Sequence, residues 1–202
     1  MTIEEMHINI KADLDHINAE LVEDFQPEEI DQQINSTINE LVDATIDIKD
    51  YELIYTLIVL KGYDGASSII AGQDYKIDLP DNYLDYIDSN VTVKSNHYNI
   101  DTDTSIVIPC ELISMDKSSA LKLDPCSASD SIAWLAEIKY NNIFIYWDEK
   151  SIVGKIFLTY IKKPAVVNIN SSIDSDLPSK LHQRIVDYTV QRIIKVINNR
   201  QQ

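Results

Sequence analysis

Glycine is scarce in this chain, with four in 202 residues beside six prolines. That excludes collagen-like and low-complexity character. Two cysteines, Cys110 and Cys126, are too few for a disulfide framework. They read as free thiols in a reducing compartment. Basic residues are also few, 17 Lys and Arg against 33 Asp and Glu, for a net charge of −16. A tight grip on a nucleic-acid backbone needs cations to neutralise phosphates, so this balance argues against one. Long apolar runs are missing too. The most apolar stretch, residues 53–60, is far short of the roughly 20 residues that span a bilayer. The N-terminus is acidic and has no continuous apolar run, so no signal peptide is expected. The Asn-x-Ser/Thr triplets at Asn35, Asn90 and Asn170 are then chance matches to glycosylation sites. What remains is 45% hydrophobic and 25% charged, the composition of a chain that buries a core.

The charge is unevenly spread. Residues 1–101 hold 22 acidic and 5 basic residues, a net of −17, and residues 102–202 hold 11 and 12, a net of +1. The bland reading of the acidic half is a well-solvated helical surface. The sharper one is a surface that repels polyanions or meets a basic partner.

Ile3, Met6, Ile10, Leu14, Ile17 and Leu21 recur at steps of three and four, one stripe of a helix. Thr2 with Glu5 has the spacing of a capping box. Phe25-Gln26-Pro27 interrupts it, and Pro27, Glu28 and Glu29 suit the first turn of a second helix. Ile30, Ile34, Ile38, Leu41 and Thr45 continue the period there. Residues 50–60 fit either type. We expect a helix, ending at Lys61-Gly62 with Gly62 as its C-terminal cap. Residues 62–72 then form a loop between a helical and a β-rich region.

From Tyr75 onward the pattern is of strands, at residues 75–79, 84–94 and 105–114. In the last of these Pro109 suggests an edge or a bulge. Residues 134–140 and 143–147 flank Asn141-Asn142 as a tight hairpin, and an alternating strand covers residues 152–161. Lys162-Lys163-Pro164 stops it. A final helix opens at Asp176-Leu177-Pro178, with Asp176 as a cap. Its stripe is Leu181, Ile185, Thr189, Ile193 and Val196, widened by Val186, Val190 and Ile197. Lys180, Arg184, Arg192, Lys195 and Arg200 make it basic. The expected fold is α+β. The N-terminal helical pair and the C-terminal helix pack together, with an antiparallel β-sandwich or small barrel inserted between them. The expected regions are an acidic helical one at 1–72, a β-rich domain at 73–163, and a loop with the C-terminal helix at 164–202.

The chemistry-bearing residues do not assemble into a motif. Residues 101–105 begin like a calcium loop, but the required Gly and Glu positions hold Ile106 and Leu112. Asp81, Asp85 and Asp88 read as a solvated turn. His7, His16, His97 and His182 lack zinc spacing, and His182 reads as a surface contact beside Lys180 and Arg184. There is no phosphate loop, dinucleotide fingerprint or nucleophile elbow. We therefore expect no enzyme, no catalytic residue, no cofactor and no metal. Tyr140, Tyr146, Trp147 and Tyr160 gather in the last strands, as sheet core, as a protein interface or as a sugar-binding platform.

The run Phe157-Leu158-Thr159-Tyr160-Ile161-Lys162-Lys163-Pro164-Ala165, followed by Asp176-Leu177-Pro178-Ser179-Lys180-Leu181-His182-Gln183-Arg184-Ile185-Val186-Asp187, resembles the end of tailed-bacteriophage head-to-tail connector proteins. The adaptor or ring proteins of crAss-like podoviruses are the nearest in character. Leu79-Pro80-Asp81-Asn82-Tyr83 and Leu123-Asp124-Pro125 resemble them too, so the likeness covers about residues 75–197. It implies a structural virion protein at the head–tail junction, made in the bacterial host cytoplasm. Copies would close into a ring, taken as dodecameric, below the portal. Portal protein and a further tail or ring protein are the implied partners, and DNA passes through without specific binding. Lys162, Lys163, Arg184, Arg192, Tyr146 and Trp147 are the interface candidates. Two alternatives stand beside this reading. One is another tail, baseplate or capsid-associated structural protein, and the other is a carbohydrate- or receptor-binding module.

Overall fold

A computed structural model describes residues 1–17, 25–64, 75–94, 106–114, 134–146 and 152–200. The fold is α+β and divides into two units. One joins Met1–Ile58 to Lys163–Gln202, and the other is Val59–Lys162.

The first unit is helical. Helix α1 (Ile3–Ile17) buries Ile3, Met6, His7, Ile10 and Leu14, the stripe set by its period. Its start is a reciprocal cap. Thr2 N–H donates to Glu5 Oε2 at 2.8 Å, and Glu5 N–H donates to Thr2 Oγ1 at 3.2 Å. Helix α2 (Pro27–Asp47) opens with Pro27 in its first turn and Gln26 N–H donating to Glu29 Oε2 at 3.2 Å. It buries Ile30, Ile34, Ile38 and Val42, and Leu41 stays half-buried. Helix α3 (Ser179–Arg200) buries Leu181, Ile185, Val186, Thr189, Val190, Ile193 and Ile197. Both α1 and α2 pack against it. Asp176, expected as the cap of α3, accepts the Ala165 N–H at 3.1 Å and so ties the loop before the helix to itself.

The stretch expected to be a helix ending at Gly62 is different. Two short 3-10 turns within Tyr51–Leu57 meet at a kink at Ile54 (φ −122, ψ 27), Ile54 and Leu57 are buried, and strand β1 (Ile58–Asp64) follows at once. The following Ile58-Val59 pair is β-branched and favours an extended backbone. The sheet unit therefore opens at Val59, well before residue 73, and Gly62 is a strand residue.

The second unit is one seven-stranded sheet. Its further strands are β2 (Tyr75–Asp78), β3 (Tyr83–Lys94), β4 (Ile106–Ile113), β5 (Trp134–Lys139), β6 (Asn142–Tyr146) and β7 (Ile152–Lys162). The order across it is β1-β7-β3-β4-β5-β6-β2. The two outer strands come together where Tyr63 Oη donates to the Asp78 carbonyl at 3.3 Å, so the sheet curls around one core. Val91, Val93, Ile108, Trp134, Ala136, Ile143, Ile145, Ile156 and Leu158 fill it, every second residue of their strands.

The sheet is not wholly antiparallel, because β4 and β5 run parallel from Cys110↔Trp134 to Ile113↔Glu137. Residues 115–133 lie between them, long enough for the return a parallel pair requires. Pro109 is not on an edge strand. It stands where β4 ends its pairing with β3 (Asn90↔Pro109) and begins pairing with β5 at Cys110. A residue with no N–H is tolerated at that hand-over.

The β5–β6 turn is Tyr140-Asn141, one residue earlier than expected, and Tyr140 takes φ 55. At Gly154 a Cβ would lie 3.0 Å from Thr92 Oγ1 and 3.3 Å from the Thr92 carbonyl. Thr92 Oγ1 there accepts the Lys155 N–H at 2.7 Å, within the β3–β7 register shift between Val91 and Val93.

Candidate functional site: charged helix faces

In the helical unit, acidic α2 lies against basic α3. Arg192 Nε donates to Gln33 Oε1 at 3.0 Å, and its Nη1 pairs with Glu40 Oε1. A groove of about 530 Å³ between the helices is lined by Thr37, Tyr188, Lys195 and Asn199 beside that ion pair. The Arg184 guanidinium lies 5.2 Å from the Tyr188 ring centroid and donates to its hydroxyl at 3.0 and 3.1 Å, which holds both side chains along the helix. Lys180, Arg184 and Lys195 are exposed on α3, and Glu40, Asp43 and Asp47 on α2.

The other interface candidates lie elsewhere. Lys162 ends β7 opposite Tyr83, and Lys163 is exposed as the first residue after that strand. Tyr146 is 7% exposed and donates its hydroxyl to Glu137 Oε2, so it belongs to the sheet's packing and does not face a partner. Trp147, His97, Cys126 and residues 101–105 lie outside the described residues. Among the candidates, Arg184 and Arg192 share a helix, and Tyr146 belongs to the sheet unit.

The residues 164–178 are fixed by a set of polar contacts that periodicity does not signal. His7 Nε2 is 2.8 Å from Asp31 Oδ1, with the two side chains 4% and 6% exposed, and Asp31 Oδ2 accepts the Ile169 N–H at 3.0 Å. Asn35 pairs with Val167 at both backbone groups, accepting its N–H at 2.9 Å and donating to its carbonyl at 3.0 Å. Ile3 N–H donates to Asp174 Oδ1 at 2.6 Å. Asn170 donates to Glu28 and holds that exposed carboxyl below its ordinary pKa. A buried His–Asp pair invites a catalytic reading. Its enclosure, with a backbone amide on the second oxygen, makes it a clasp between α1, α2 and this segment. The available sign was His7 beside Met6 on the apolar stripe and Asp31 beside Ile30. His182, expected at the surface, is buried as well and donates from Nε2 to the Leu177 carbonyl at 2.9 Å.

In the sheet unit, Tyr83 and Tyr160 stack with centroids 5.9 Å apart, and Tyr160 Oη donates to Asn82 at 3.0 Å. Burial pushes the hydroxyls of Tyr63, Tyr83 and Tyr86 up to about 12. Burial likewise pushes the Cys110 thiol up to about 12, against a hydrogen bond from Ser89 that lowers it. A thiol protonated at neutral pH is no nucleophile. A cleft of about 370 Å³ opens between the sheet edges, lined by Lys61, Tyr63, Lys76, Asp78 and Pro80. Lys61 sits over the Tyr63 ring at 5.1 Å, and a Lys at such an edge discourages pairing with a foreign strand.

Among the described residues no three His, Cys, Asp or Glu side chains gather around a point that would hold a metal ion. No helix among them is long and apolar enough to cross a membrane. Compared with known protein families and with curated proteins, the chain matches no family model and no curated protein.

Proposed function

We propose that the chain is a non-enzymatic structural protein of a tailed-phage virion, one ring of the head-to-tail connector below the portal. In this reading copies close into a ring that continues the DNA channel, with portal protein on one end and a further ring or tail protein on the other. The supporting observation is the use of the chain's two ends. Helices from both termini build one unit, and the curled sheet is a single insertion between Ile58 and Lys163. A unit that carries acidic helix surface on one side of the sequence and basic helix surface on the other suits heterologous contacts, which close into rings.

Negative-stain imaging of the purified protein, alone and mixed with the portal protein of the same virion, tests this. Closed rings with a central opening, seated on the portal in the mixture, are expected. Absence of both would move the reading to another tail, baseplate or capsid-associated protein. A carbohydrate-binding module would need several accessible rings in the cluster of Tyr140, Tyr146, Trp147 and Tyr160, and among its described members Tyr146 and Tyr160 are buried while Tyr140 is exposed.

A further inference from the structure

Two helix stripes in the helical unit have the same spacing and opposite net charge, with half-buried Lys11 at i+7 of the α1 stripe and Gln191 at i+7 of the α3 stripe. On α1, Glu4, Ile8 and Asp15 fall at i, i+4 and i+11, and all are exposed. On α3, Arg184, Tyr188 and Lys195 fall at the same i, i+4 and i+11, and all are exposed. At 1.5 Å rise per residue each stripe spans roughly 16 Å. Laid side by side in the same direction, they put Glu4 against Arg184, Ile8 on the Tyr188 ring and Asp15 against Lys195. The reverse direction also pairs the charges but removes the apolar contact, so the aligned register is favoured.

The chemistry fits an interface. Ile8 is 65% exposed, a large apolar residue on a helix whose core stripe is already buried. Tyr188 is 39% exposed and is held in place by Arg184, so little side-chain freedom is left to lose on docking. Tyr and Arg are the residue types that dominate binding energy at interface centres. Within one chain the two stripes do not meet, because α1 faces α3 with Ile3, Met6, Ile10 and Leu14.

We infer that the α1 stripe of one copy docks on the α3 stripe of a second copy, head to tail, through Glu4–Arg184, Ile8–Tyr188 and Asp15–Lys195. The choice of a second copy as occupant rests on the ring reading and on this charge complementarity. The contact is heterologous, since each copy offers one stripe of each kind and neither pairs with itself.

The experiment uses the full chain and two double variants, Arg184→Glu with Lys195→Glu and Glu4→Lys with Asp15→Lys. All four positions are exposed, and an unchanged melting temperature shows that each variant folds. Particle mass is read by mass photometry across a concentration series. Wild type should assemble, and each variant alone should lose at least tenfold in association. An equimolar mixture of the two should recover it, because each reversed stripe then faces its complement. Rings that persist in both variants would overturn the stripe pairing and leave the ring reading standing. Loss and recovery with assembly stopping at open chains would support the pairing and sink the ring. A wild-type chain that stays monomeric at every concentration would overturn the stripe pairing, and the ring reading would then be decided by imaging with portal.

Discussion

Asp31 serves three segments with one carboxylate, since His7 lies on one oxygen and the Ile169 amide on the other. Removing it by Asp31→Ala leaves two donors without partners in a closed setting. At about 1–3 kcal/mol per unpaired buried group, the loss in unfolding free energy should be about 2–4 kcal/mol. Glu40→Ala removes the ion pair with Arg192, but Glu40 is 69% exposed and Arg192 34%. Exposed pairs contribute ~0–1 kcal/mol, so that variant should lose under about 1 kcal/mol. Urea unfolding followed by circular dichroism separates the two, and equal losses would show that Asp31 is not a clasp. Tyr63, Tyr83, Tyr86 and Cys110 make a second residue-scale prediction. Their folded pKa values, about 12, lie above the unfolded values of about 10 for Tyr and about 8.5 for Cys. The unfolded chain therefore releases these protons first as pH rises. The stability they contribute is complete below the unfolded values and is lost between about pH 9 and pH 12. Unfolding curves across that range should show the fall, and tyrosinate absorbance should show a late class of tyrosines that ionises together with unfolding. A flat stability profile to pH 12 would contradict it.

At the scale of elements, the helices were legible and the sheet partly so. Helices α1, α2 and α3 announce themselves because their apolar residues keep one period over four turns or more and their starts carry caps or Pro. The 3-10 turn and β1 were misread as one helix, since residues 50–60 satisfy both periods and only the neighbouring strand β7 decides between them. The parallel β4–β5 pair was illegible, because pairing partners distant in sequence leave no local mark. Polar residues that brace backbone are hidden for a related reason. Asn35 is one of many Asn in the chain, and nothing near it in sequence points to Val167. Its removal by Asn35→Ala should cost about 1–2 kcal/mol through two lost hydrogen bonds, with an accompanying gain in proteolysis of the segment before α3. Gly154→Ala tests the bulge. Its Cβ would press on Thr92 from both side chain and backbone, and an overpacked site of that kind costs about 1–3 kcal/mol. A thermal melt unchanged by this substitution would mean that β3 and β7 can part there without loss.

For the whole molecule the governing quantity is charge. Four of the interface candidates, Lys162, Lys163, Arg184 and Arg192, are charges that sequence leaves without positions, and folding assigns those positions. It sets Arg192 against Glu40 within one chain and leaves Arg184 and Lys195 outward on α3. A channel protein must let DNA move past, so its attraction to phosphate has to be weak at cellular salt. The chain holds 17 cations against 33 anions, and even all four of Lys180, Arg184, Arg192 and Lys195 on phosphates would release few counterions. With about −0.9 in log-log slope per contact, four contacts give a salt slope no steeper than about −3.6. The opposing field of a chain at −16 then raises the work of bringing a polyanion close. Duplex DNA should therefore show no retention by the protein at micromolar concentration in ~0.15 M salt, where the Debye length of about 8 Å still leaves charges on one face coupled. A gel-shift or anisotropy titration decides this. Submicromolar binding at that salt would mean that a basic surface dominates the approach to DNA, and the proposal that the ring lets DNA pass without specific binding would fall with it.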